Sequence, residues 1–190
     1  MYPVQAVSWL TIRGGIWPGV PAGSGQPASD TFIDRLRSKT GLDFDLPTAA
    51  QWEYAARATT IRAYNDYTKN GGEGSDCLVP WGGADENLDP LGRYLHNWGS
   101  SLHAVVGSYQ ANLWGLYDTH GNVWEWCLDK YGSYGGDETD PLGPSTGTAP
   151  VVRGCGAGSN ARQCRSARHG PSDGYQYVYS ALGFRLCLPQ

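Results

Sequence analysis

Residues 115–127 read Gly115-Leu-Tyr-Asp-Thr-His-Gly-Asn-Val-Trp-Glu-Trp-Cys127. From Asn122 to Leu128 the residues alternate, with Val123, Glu125 and Cys127 on one side and Trp124 and Trp126 on the other. That period of two predicts a strand with two dissimilar faces. Two tryptophans on one face mark a scaffold, since large apolar groups build cores. The later stretch Cys155–Ala181, CGAGSNARQCRSARHGPSDGYQYVYSA, contrasts with it. It lacks Leu, Ile, Phe, Met, Trp, Lys and Glu. Tyr, Ser, Gly and Asn with some Arg compose adaptable binding surfaces, as in antibody loops. A packed scaffold followed by such a segment suggests a domain that displays a surface.

Two helices lie upstream. In Ser29–Lys39, Ser29 and Asp30 are candidate N-caps, Phe32, Ile33 and Leu36 share a face, and Gly41 is a stop. In Leu46–Ala58, Thr48 and Gln51 form a capping box, and Trp52, Ala55 and Ala56 make the buried side. Short strands are expected at 3–9, 104–109, 151–154 and 183–188. The Gly- and Pro-rich stretches 14–29 and 131–150 read as loops, and 59–101 is turn-rich.

The composition agrees with one irregular α+β domain over 1–190. The chain has 8 Trp, 12 Tyr, 27 Gly and 12 Pro, and 17% of its residues are charged, which leaves little material for long helices. The net charge is −4, and the only basic concentration is Arg153, Arg162, Arg165 and Arg168. That is too narrow a footprint for nucleic acid. No apolar run is long enough for a membrane span. No leader is visible after Met1, and the start reads as a truncation. Five cysteines, Cys77, Cys127, Cys155, Cys164 and Cys187, leave at least one unpaired within the chain. They show no zinc spacing, and the expectation is small buried thiols.

The landmarks Val4–Trp9, Leu46–Ala58 (LPTAAQWEYAARA), Gly115–Trp126 (GLYDTHGNVWEW), Val152-Arg-Gly154, Cys164-Arg-Ser-Ala167 and Gly183-Phe-Arg185 occur in a familiar order. The series resembles the formylglycine-generating-enzyme (sulfatase-modifying factor) domain family over nearly the whole chain, without its usual opening hairpin. The resemblance implies a C-type-lectin-like fold, an irregular α+β structure of two helices and short antiparallel strands.

Three functions follow from it. In the oxidases of this family two cysteines, with four residues between them, bind Cu(I), and soft thiolates suit that ion. Here the pattern falls on Ser159 and Cys164, while eight residues intervene between Cys155 and Cys164. The copper pair is incomplete and the oxidase chemistry is expected to be lost. The alternative keeps Cys164 with Cys155 in an altered geometry. The four histidines His96, His103, His120 and His169 give no iron constellation, and His120 and His169 read as loop or surface residues rather than bases.

The second reading is similarity to the variable proteins of diversity-generating retroelements, which end in a variable region followed by a Gly-Phe-Arg strand. There, adenines are mutated, often in AAC codons, whose products include Gly, Ser, Ala, Cys, Tyr, His, Arg, Asp and Val but not Gln. The candidate ligand-binding positions are Cys155, Gly156, Ala157, Gly158, Ser159, Asn160, Arg168, His169, Gly170, Ser172, Asp173, Gly174, Tyr175, Tyr177, Val178, Tyr179 and Ser180. All are reachable, whereas Gln163 and Gln176 are not. Tyr175, Tyr177 and Tyr179 share one face of an extended segment, as exposed contacts or as a packed strand edge. Arg162, Arg165 and Arg185 are assigned to the framework.

The third reading is a calcium-dependent lectin. The resemblance places a structural calcium on the Asp118 side chain, the Gly121 and Val123 carbonyls and the Glu125 carboxylate, ligands suited to a hard cation. Glu125 paired with Arg153 or Arg185 is the alternative. The reading favoured is a non-catalytic display domain for a protein or cell-surface glycan. A cell-surface, secreted or virion-displayed location suits it.

Overall fold

The computed structural model describes residues 1–14, 25–61, 83–99, 101–133, 135–147, 149–172, 174 and 178–188. Among these residues three helices, α1 (Trp9–Ile12), α2 (Phe32–Thr40) and α3 (Ala49–Arg57), precede four strands. The strands are β1 (Trp124–Lys130), β2 (Pro150–Arg153), β3 (His169–Pro171) and β4 (Leu182–Gly183). A 3₁₀ turn spans Ala161–Cys164. The sheet order is β3-β2-β1-β4. β2 is antiparallel to both β1 and β3, and β4 runs parallel to β1, pairing Trp124 with Leu182 and Glu125 with Gly183. The fold is α+β, as expected, with a mixed rather than wholly antiparallel sheet.

The caps explain the helices. Thr48 Oγ1 accepts from Gln51 N while the Gln51 side chain accepts from Thr48 N, so the expected capping box forms. Asp129 adds a second cap from β1, its Oδ2 accepting from Ala49 N at 2.5 Å. Trp52 and Ala56 are buried and Ala55 half-buried. In α2 the N-cap is Thr31 rather than Ser29 or Asp30, because Thr31 Oγ1 is the group that reaches Asp34 N. Gly41 ends α2 at φ 70°, as expected. Ile33 is buried there, while Phe32 is exposed and meets Phe184 edge-on at 5.4 Å.

Several strand expectations fail at the level of local hydrogen bonding. Ser8 caps a helical turn at Trp9–Ile12, which displaces the strand expected at 3–9. Residues 104–109 hold one turn, closed by Ser108 N donating to Val105 O, and Ala104 N is bonded to the Asn122 side chain. Beyond Gly183 the C-terminal strand is reduced to an isolated bridge between Cys187 and Asp45. β1 keeps the expected faces but begins at Trp124 and runs to Lys130. β3 has no sequence signature; it forms because β2 offers it a pairing edge.

The faces of β1 organise the core. Trp126 is fully buried with Trp9, Ile12, Ile33, Leu46, Val152 and Leu182, and its Nε1 donates to Val7 O at 2.9 Å. Cys127 packs on the other face with Ala49, Trp52, Ala56 and Val151. A third cluster joins Leu88, Leu91, Tyr94, Cys155, Ala161 and Cys164, with Trp124 lying against it. Gly121, at φ 153°, fits under the Arg93 carbonyl, where a Cβ would run into backbone.

Candidate ligand-binding site

The sheet separates two concavities. Along β2 the side chains alternate, so Val151 and Arg153 face α3 and Val152 faces away. On the α3 side is an open groove of about 770 Å³ that includes Glu53, Asp129, Arg153 and His169. On the far side is a smaller cavity of about 270 Å³. Its lining comprises Trp124, Val152, Gln163, Arg168, Gly170, Pro171, Ser172, Tyr179 and Leu182. The sequence-predicted positions Arg168, Gly170, Ser172 and Tyr179 thus meet around one cavity, over a floor of Trp124, Val152 and Leu182 taken from three strands.

The predicted surface divides when its residues are placed. Gly158, Arg168, Val178, Tyr179 and Ser180 are exposed, and Asn160, His169, Ser172 and Gly174 are half-buried. His169 turns to the α3 side, where its ring lies 5.6 Å from Tyr131. Asp173, Tyr175 and Tyr177 lie outside the described residues, and so does most of the expected tyrosine face. Cys155, Gly156, Ala157, Ser159 and Gly170 are buried, against the expectation of a displayed surface. The reason is packing. A Cβ on Gly156 would sit 3.0 Å from both Trp124 Cδ1 and Ala181 Cβ. Ser159 Oγ accepts from Gly156 N, and Asn160 Oδ1 caps the 3₁₀ turn by accepting from Gln163 N. Small residues here reflect close approach as much as variability.

The cysteines also correct the sequence reading. Cys155 and Cys164 are not buried thiols but a disulfide with Cα atoms 4.9 Å apart, and both are fully buried. In that state neither sulfur is a thiolate ligand for copper. Among the described residues, Cys127 and Cys187 are unpaired, and burial pushes both thiols upward, Cys187 to about 11. Neither is a reactive thiolate at neutral pH.

Histidine placement differs as well. His120, expected on a loop surface, is completely buried, with Nδ1 2.8 Å from the Cys164 carbonyl oxygen. Burial lowers it to about 4, so it is neutral at physiological pH. His103 is buried too, its Nδ1 3.1 Å from Asn122 O.

The calcium ligand set does not survive the geometry. Glu125 Oε1 accepts from Arg185 Nη2 at 2.6 Å, and Oε2 accepts from Arg185 Nε at 2.5 Å and Trp52 Nε1 at 2.6 Å. Both oxygens are committed to donors, and the guanidinium neutralises the charge a cation would need. This is the pairing kept as the alternative, with Arg185 as partner. The Gly121 carbonyl accepts from Val123 N at 3.0 Å. Asp118 Oδ2 accepts from Gly107 N at 2.8 Å, while the buried Oδ1 has no hydrogen-bond partner and burial raises this carboxyl. Asp118, Gly121, Val123 and Glu125 therefore do not fit a calcium ion as a set. Among the described residues, no three His, Cys, Asp or Glu side chains cluster as metal ligands.

The framework arginines separate too. Arg185 is held by Glu125, as a fold-bearing residue should be. Arg162 and Arg165 are exposed, with Arg165 Nε donating to Arg162 O at 3.0 Å. Arg153, 2% exposed, has a structural role too, with Nη1 3.0 Å from Glu53 Oε2 and from Ser166 O. Sequence reasoning missed Gln163, Pro171, Val152 and Leu182 as cavity residues. The tryptophan face of β1 was the one signal that pointed towards the floor.

Comparison with known proteins agrees with the architecture. The formylglycine-generating enzyme of Streptomyces coelicolor is 42% identical over 165 residues, covering 77% of this chain and 49% of that protein. The enzyme of Thermomonospora curvata is 30% identical over 178 residues, covering 79% and 53%. The chain thus spans about half the length of these relatives. Among solved structures, Treponema denticola variable protein 1 superimposes with a TM-score of 0.67 and 25% identity, over 97% of this chain and 83% of that one. No helix among the described residues is long and apolar enough to cross a membrane. Residues 3–189 match the sulfatase-modifying factor enzyme 1-like domain, and the chain belongs to that family.

Proposed function

We propose that this chain is a non-catalytic ligand-binding domain whose C-terminal segment is diversified by a retroelement and displayed for recognition of a macromolecule. The observation that carries the reading is the composition of the 270 Å³ cavity. Its floor of Trp124, Val152 and Leu182 belongs to the sheet. Of its rim, Arg168, Gly170, Ser172 and Tyr179 are adenine-reachable positions, and Gln163 is not. A fixed apolar base under a changeable polar edge suits a recognition surface, in which a buried aromatic anchors and the edge selects. The Cys155–Cys164 disulfide supports both halves of the reading. It withholds the thiolates a copper oxidase needs, and it suits an oxidising, extracellular compartment.

The test is deep sequencing of this coding region across its source population. Substitutions concentrated at the exposed positions of 155–180, in codons compatible with adenine mutagenesis and with Gly115–Cys127 unchanged, are the expected result. Uniform low variation would remove the diversification reading.

The 42% identity to a formylglycine-generating enzyme supports a second reading, catalysis after reduction of the disulfide. Cu(I) titration of the reduced chain, followed by turnover of a cysteine peptide, separates the two. Stoichiometric binding with turnover favours the oxidase.

A further inference from the structure

The chemistry of the cavity specifies what it holds, on the reading that it is the recognition site. We infer that the cavity receives a single acidic side chain, glutamate in size, projecting from an acidic surface of a protein ligand.

Three observations converge on this. The first is size. A volume of about 270 Å³ falls below the roughly 300–1,000 Å³ of pockets that engulf a whole small molecule. It suits one anchoring side chain whose parent surface stays outside.

The second is the balance of donors and acceptors. Among the described residues Arg168 is the only charged group in the lining, and no carboxylate lines it. Gln163 Oε1 is occupied by Asn160 N at 3.1 Å, which orients the amide so that its donor end, Nε2, remains. A guanidinium fork and an amide N–H₂ match a carboxylate in geometry and charge. Trp124, Val152 and Leu182 beneath them cover the methylenes of such a side chain.

The third is the surrounding charge. Arg165 and Arg168 are both exposed, and residues 161–172 contain no Asp or Glu, the next carboxylate along the chain being Asp173. The chain as a whole carries −4, so this is a local basic field on an acidic protein. Such a field orients an acidic partner surface and raises the rate of its encounter.

The experiment is an NMR titration of the ¹⁵N-labelled chain with its disulfide intact, using three probes. These are N-acetyl-glutamate methylamide, its neutral isostere N-acetyl-glutamine methylamide, and the methyl glycoside of N-acetylneuraminate. The expected result is perturbation of the Trp124 indole and of the Arg168 and Gly170 amides by the glutamate probe. It should bind at least ~10-fold more tightly than the glutamine probe and weaken as salt rises. Arg168→Glu should abolish the preference, and Arg168→Lys should retain part of it. Because Arg168 is exposed, the amide spectrum of each variant should otherwise match the parent, and Arg168→Gln is a neutral second variant. Equal binding of the two amino-acid probes, shifts elsewhere on the protein, or no shifts at all would overturn the inference. Tighter binding of the sialoside would overturn it in favour of an acidic glycan. These failures leave the diversification reading intact, since that rests on population sequencing.

Discussion

Glu125 and Arg153 stand directly opposite each other on β1 and β2, yet their charges are satisfied by different partners. Glu125 takes Arg185 and the Trp52 indole, and Arg153 takes Glu53 on α3. Two opposite charges in register are thus each tied to a separate part of the chain, the C-terminal segment and the second long helix. Glu125 is 5% exposed, so removing its charge leaves Arg185 without its counter-ion in a largely dry setting. Glu125→Gln should cost about 3 kcal/mol of unfolding free energy, as breaking one side of a buried pair does. Trp52→Phe, which removes one hydrogen bond and also shrinks a buried side chain, should cost about 2–4 kcal/mol. Urea unfolding of the two variants checks both values, and a loss below about 1 kcal/mol for either would contradict the assignment.

The disulfide closes a short loop, its cysteines nine positions apart. Loop entropy predicts that Cys155→Ser with Cys164→Ser lowers stability by about 2–3 kcal/mol. Reductant should lower the melting temperature of the parent and leave the double variant unchanged. A melting curve insensitive to reductant in the parent would mean that the bond is not formed in solution.

His120 supplies a pH dependence with a defined sign. Its ordinary value is 6.5 and burial lowers it to about 4 in the folded chain. The unfolded chain therefore takes up a proton first as the pH falls. Stability is full above about 6.5, declines between 6.5 and 4, and levels below 4, for a total loss of about 3 kcal/mol from this residue. Comparing parent and His120→Gln across that range isolates the effect. Parallel stability curves would show that His120 does not drive it.

Within the variable-looking segment, tolerance should follow packing. Gly158 is exposed, and among the described residues a Cβ there meets only Trp98, at 3.9 Å. Gly158→Ser should change stability by no more than about 0.5 kcal/mol. Gly156→Ser forces a side chain against Trp124 and Ala181 and should cost about 1–3 kcal/mol. Thermal unfolding decides between this and a uniformly permissive segment, for which the two substitutions would behave alike.

How far the sequence could be read depended on the range of the interactions concerned. The capping box at Thr48 and Gln51, the stop at Gly41 and the two faces of β1 are local, written in residues a few positions apart, and all three were legible. β3 was not, because a three-residue strand holds no period and forms only against β2. Arg185 as the partner of Glu125 was one of two arginines that sequence left open, since the choice lies 60 positions away. The binding segment misled for a related reason. Glycine and alanine score alike whether they are free to vary or pressed against a tryptophan. Only the contact of Gly156 with Trp124 separates these cases. The cavity itself combines residues from all four strands and two intervening stretches, so no single window of sequence contained it.

Val152 and Arg153 are adjacent in the chain but face opposite ways, towards the small cavity and towards α3. The sheet is therefore a partition between the Glu53–Arg153 and Glu125–Arg185 ion pairs and the edge where recognition is proposed. Changes on opposite sides of such a partition share few neighbours, and their free energies should sum with little coupling. For protein engineering, this makes the domain a chassis. Libraries built at Arg168, Ser172 and Tyr179 can be combined with stabilising substitutions around Glu53, Glu125 and Arg185, and each set can be optimised without re-screening the other.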